Sequence, residues 1–172
     1  MRGLVAFILC CLASVTASAQ SATYLRQLLD EAAHSGEAAR RFLKETRSIS
    51  DTDEALLNGF RAMADLLMCR YVLLPTSKWQ HFVKGRDQLE AAIRKDPVNA
   101  ELRFMRFCTQ VNTPSLLGYK SSINTDKRML IRYLQDQSQI GNDTAALNRS
   151  MKAYLLQSNI CETSEIKLLK TL

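Results

Sequence analysis

A chain of 172 residues that is 47% hydrophobic, with only three prolines, six glycines and no low-complexity tract, suits one domain with a single core. Its 23 lysines and arginines against 17 acids give a formal charge of +6, but only Arg40-Arg41, Arg94-Lys95 and Lys127-Arg128 are adjacent basic pairs. So dispersed a charge describes a solvated surface better than a face for nucleic acid or anionic lipid. In chain order, Met1 and Arg2 come first, followed by the apolar run Leu4 to Val15 and the small residues Ala17-Ser18-Ala19. That order predicts a secretory signal peptide over residues 1–19, cleaved to leave a domain over 20–172. The run is about twelve residues, whereas a membrane span needs roughly twenty. No lipid anchor is expected, because Leu9 and Cys10, not a small residue, precede the leader cysteines Cys10 and Cys11.

Cleavage would leave 22 basic against 17 acidic residues, a charge of +5, and three cysteines: Cys69, Cys108 and Cys161. An odd number permits at most one internal disulfide, so this is no disulfide scaffold. Cys69 and Cys108 fall on apolar helix faces, where cysteine behaves as a small hydrophobe.

Helical periodicity runs through the rest. Leu25, Leu28, Leu29, Ala32, Ala39, Phe42 and Leu43 mark a helical region from about Ala22 to Thr46. Ser35-Gly36 interrupts it, leaving one kinked helix or two short ones. Ser50-Asp51-Thr52-Asp53 offers a cap for a helix over about Thr52 to Leu73, with Leu56, Phe60, Met63, Ala64 and Leu67 on one stripe and Asn58, Arg61 and Asp65 on another. Pro75 ends that segment, and a third helix is expected over about Ser77 to Lys95. Asp96-Pro97 stops it and Asn99 caps a fourth through Val111. Asn112-Thr113-Pro114 breaks the chain, a short apolar piece covers Ser115 to Tyr119, and Asn124 opens the next helix. Gly141-Asn142-Asp143 separates that helix from one ending at Gln157, and a last short helix follows Thr163. Strand signals are nearly absent. The expected fold is all-α, a helical-hairpin array or irregular α-bundle.

The segment Leu89 to Glu101, LEAAIRKDPVNAE, resembles the close of a tetratricopeptide repeat and the start of the next. Gly85 stands where that repeat has a small residue for close helix contact, and Leu89 where it has a bulky one. The preceding helix lacks the usual Trp, Leu-Gly and Tyr positions, so the resemblance covers fifteen to twenty residues and implies a tetratricopeptide-like fold, not a regular array. A longer stretch, from about Ala55 to Leu134, is similar to small uncharacterised secreted proteins of Bacteroidota; that resemblance implies a helical fold and brings no activity.

Catalytic chemistry is hard to find. His34 and His81 lie far apart without neighbours at metal-ligand spacing, so no metal or other cofactor is expected. A cysteine nucleophile needs a base that the sequence does not place nearby, Asp51, Asp53 and Glu54 fit a helix N-terminus, and no Gly-rich phosphate loop is present. The cluster with most chemical character is Arg103, Arg106 and Gln110, at i, i+3 and i+7 of the fourth helix, with Asn112, Tyr119, Asp126 and Lys127 placed to close the same region. Paired guanidiniums suit a carboxylate or an acidic peptide end. The blander reading is an internal pair of Arg103 or Arg106 with Glu101, Asp126 or Asp65. Asn142 and Asn148 begin glycosylation sequons, meaningful only in a host that glycosylates.

The expectation is a secreted or periplasmic helical binding or adaptor protein, not an enzyme, recognising another envelope protein or a peptide through a groove near Arg103 and Arg106. No nucleic acid and no transmembrane segment after cleavage are expected. The alternatives are a small envelope hydrolase and a peripheral binder of anionic envelope surfaces.

Overall fold

A computed structural model describes residues 22–137 and 145–172. The expected leader, the break at Gly141-Asn142-Asp143 and the sequon at Asn142 lie outside them. Among the described residues the chain is all-helical, with eight α-helices and no strand. The described residues fall into two compact units that divide between Ala91 and Ala92, inside one helix.

In the first unit, the interrupted N-terminal region is two helices: α1 over 22–34 and α2 over Gly36–Glu45. Ser35 divides them because its side chain accepts the Ala38 N–H at 3.3 Å, an N-cap that starts a new helix. Helix α3 spans Ala55–Tyr71, starting later than the sequence suggests. The polar run before it closes a turn instead of capping: the Ser50 N–H donates to the Asp53 carboxylate at 2.8 Å, and Ser50 and Thr52 share a hydroxyl contact at 2.6 Å. Helix α4 spans Pro75–Lys95, two residues earlier than expected. Proline suits a first helical turn, where its missing N–H has no intrahelical partner to lose.

Leu25, Leu28, Ala32, Phe42, Phe60, Met63, Phe82 and Leu89 are buried in this unit. The end of α3 also closes α1: Tyr71 Oη donates to the Ala32 carbonyl at 3.0 Å and Arg70 to the Ala33 carbonyl at 2.9 Å. Those are carbonyls of the last turn of α1, which have no partners of their own. Gly85 lets α3 and α4 touch. A Cβ there would stand 2.7 Å from Leu66 Cγ and 2.8 Å from the Ala62 carbonyl oxygen.

In the second unit, α5 spans Ala100–Asn112 and is capped as its sequence predicts, with the Asn99 side chain accepting from Glu101 N at 3.1 Å and Leu102 N at 3.2 Å. A 3-10 turn at Ser115–Leu117 ends on Gly118, whose φ of 63° is a left-handed conformation glycine adopts without strain. Helices α6 (Ile123–Gln137), α7 (Ala145–Gln157) and α8 (Thr163–Thr171) follow. Their core gathers Phe107, Leu130, Ile131, Leu134, Met151, Leu155 and Leu169. Tyr154 stands edge-on to Phe104 and Phe107, with ring centroids 5.8 and 6.1 Å away. Among the described residues, no helix is long and apolar enough to cross a membrane.

Candidate functional site

The arginine stripe of α5 meets α6 at one carboxylate. Asp126 is fully buried, and Arg106, whose side chain is 7% exposed, donates to it through Nε at 2.7 Å and Nη2 at 2.8 Å. Arg103 Nη1 reaches the same Asp126 at 3.0 Å, while its Nε and Nη2 donate to the Pro97 carbonyl at 3.0 and 2.8 Å. Two guanidiniums that could take a ligand carboxylate already hold an internal one. The arrangement fastens α5 to α6 in the two-toothed geometry that makes arginine suit carboxylates.

The neighbouring residues are equally occupied. Gln110 is fully buried; its side-chain oxygen accepts the Ser122 N–H at 3.2 Å, and its Nε2 finds no acceptor in the protein. Asn112 Nδ2 donates to the Cys108 carbonyl at 2.8 Å and to Tyr154 Oη at 2.5 Å, joining α5 to α7. Tyr119 is buried. Lys127 is buried as well and pairs with Glu165 at 2.8 Å, which ties α8 to α6. The five residues expected to line a groove all lie in the second unit; Arg106 and Arg103 join α5 to α6 through Asp126, Asn112 joins α5 to α7, and Gln110 and Tyr119 are buried.

A different cluster forms where α3 meets α4. Asp65, 1% exposed, accepts from His81 Nδ1 at 2.8 Å and pairs with Lys84 Nζ at 2.8 Å. No sequence argument joined these residues, though Asp65 lies on the polar stripe of α3 and His81 and Lys84 are three apart on α4. The Cys69 thiol lies nearby, donating to the Lys78 carbonyl at 3.4 Å. Burial pushes this thiol up to about 11, against the opposing pull of its backbone hydrogen bond. It is therefore protonated near neutrality and a poor nucleophile. Cys108 and Cys161 are also raised by burial, and none of the three is in a disulfide. His34, the other histidine, is spent on the Asp30 carbonyl at 2.9 Å. Among the described residues, no three His, Cys, Asp or Glu side chains stand close enough together to hold a metal.

The turn between α3 and α4 carries the most unusual surface. Leu73 is 92% exposed, Leu74 65% and Trp79 52%. Pro75 holds the turn, and Trp79 rests on the buried Phe82 with ring centroids 5.9 Å apart. A separate depression of about 410 Å³, lined by Glu31, Ser35, Glu37, Ala38 and Arg41, is less promising, because its arginine is paired with Glu31. No family model, curated protein or solved structure matches this chain.

Proposed function

We propose that this chain is a secreted or periplasmic helical protein that works by binding, not by catalysis, and that its contact surface is the corner formed by Leu73, Leu74 and Trp79. The observation that carries the reading is the exposure of three large apolar side chains close in sequence, Leu73 and Leu74 in the α3–α4 connection and Trp79 near the start of α4. Leaving such a side chain in water forgoes about 1.5–3 kcal/mol of burial. Scattered exposed leucines are ordinary, whereas large apolar side chains gathered with an exposed tryptophan are how interaction surfaces are built.

The groove at Arg103 and Arg106 is the weaker seat for a partner, since Asp126 and the Pro97 carbonyl already take their donors. A hydrolase is weaker still. Asp65 and His81 resemble the orienting half of a catalytic triad, but the thiol beside them is raised by burial. The tetratricopeptide-like arrangement remains part of this proposal, supported by the close packing at Gly85 and the buried Leu89.

Hydroxyl-radical footprinting tests the surface without presuming what covers it. In an envelope preparation, oxidation of Trp79 and Leu74 should fall relative to the purified protein, while exposed Tyr24 keeps its rate. Equal labelling of Trp79 in both samples would sink the proposal.

A further inference from the structure

We infer that the occupant of the α3–α4 corner is the interface of an anionic lipid bilayer, an inference that rests on the binding reading above and names its partner. Between Asp65 and Asp87 the chain holds no acidic residue and four bases: Arg70, Lys78, Lys84 and Arg86. Lys84 is matched by Asp65 and Arg86 by Asp87. Arg70 and Lys78 are exposed and join no ion pair among the described residues; Arg70 also holds the Ala33 carbonyl and lies over the Tyr71 ring, which leaves Lys78, next to Trp79, as the cation turned to the corner's surroundings.

The side chains fit that surface. Leucines at the tip of a turn can enter the acyl boundary while the helices behind stay in water. Tryptophan favours the headgroup level, where its ring is buried and its N–H stays wet. A lysine beside it meets lipid phosphates, as at other peripheral sites that join apolar insertion to basic charge. An acidic polypeptide could answer the charge but would not need an apolar tip so far out of its own fold.

Trp79 is the single tryptophan of the chain, so its fluorescence reports on this corner alone. The experiment uses protein purified after export, its N-terminus read by mass spectrometry, mixed with phosphatidylglycerol-containing or pure phosphatidylcholine vesicles. Trp79 emission should shift to the blue and be quenched by brominated acyl chains only with the anionic vesicles. The affinity should fall about fivefold for Lys78→Gln. Leu73→Ser with Leu74→Ser should remove the shift while the circular dichroism spectrum and Tm stay unchanged, since both side chains are solvent-exposed.

An unshifted spectrum with anionic vesicles overturns the lipid assignment, as does an equal shift with both lipids. A photo-crosslinker at position 79 separates that failure from failure of the binding reading. Crosslinks to polypeptide or to a second copy sink the lipid assignment and keep the surface; no protection and no crosslink sink both.

Discussion

Arg106 and Asp126 meet in a two-toothed ion pair, at 2.7 and 2.8 Å, with the carboxylate wholly removed from water. A charge buried this deeply is tolerable only while its partner is present. Asp126→Ala should therefore cost about 3–5 kcal/mol, because it strands Arg106 without a counter-charge. Replacing both, as Arg106→Met with Asp126→Leu, should cost less than that single change. Urea unfolding followed by circular dichroism measures both; an Asp126→Ala variant as stable as the parent would contradict the pairing.

Gly85→Ala runs against the usual gain of helix propensity, which favours alanine over glycine by about 1 kcal/mol. The new methyl would meet Leu66 Cγ at 2.7 Å, the Ala62 carbonyl oxygen at 2.8 Å and Leu66 N at 3.0 Å. Two of those atoms are backbone and cannot turn aside. The variant should lose about 1–3 kcal/mol through overpacking. A rise in Tm would show that α3 and α4 stand further apart.

Cys69 should alkylate slowly. With its thiol pushed up to about 11 by burial, iodoacetamide at pH 8 should react about a hundredfold more slowly than with an unshifted thiol. The rate should climb about tenfold per pH unit and level off near 11. Mass spectrometry of the Cys69 peptide reads this directly, and a plateau near pH 9 would contradict it.

Glu165 supplies a pH dependence of the second unit. Burial alone would raise its carboxyl, but the hydrogen bonds from Lys127 and the Glu162 N–H, with the Lys127 and Arg128 charges, hold it below its ordinary value. A carboxyl depressed in the folded state stabilises above its unfolded pKa, and that contribution disappears as the pH falls through the folded one. Glu165→Gln should therefore be less stable than the parent at pH 7, with the gap closing in the acid range. A gap independent of pH would show that Lys127 does not act through charge.

Much of the architecture is legible in the sequence. The apolar spacing of α3 and α5, the break at Ser35-Gly36, and the Asn99 cap each follow from local rules, because a helix is built from contacts three and four residues apart. The starts of α3 and α4 differ from the local pattern for equally local reasons. Ser50 and Asp53 were spent on each other, and Pro75 opens a helix as readily as it closes a segment. Of the candidate site, the spacing of Arg103 and Arg106 was legible, but not their direction.

The sequence by itself determined an all-helical chain and the absence of acids between Asp65 and Asp87, but not every inward face: Asn58 and Asp65 of the polar stripe of α3 are buried, while Leu56 and Leu67 of its apolar stripe are half-buried. Only the tertiary structure decided that Asp126, twenty residues away, would occupy Arg106, that Asp65 would find His81, and that Leu73, Leu74 and Trp79 would be left outside. Periodicity assigns a residue to a face. Whether that face meets a neighbouring helix, a counter-charge or solvent depends on contacts distant in sequence, which no local pattern encodes.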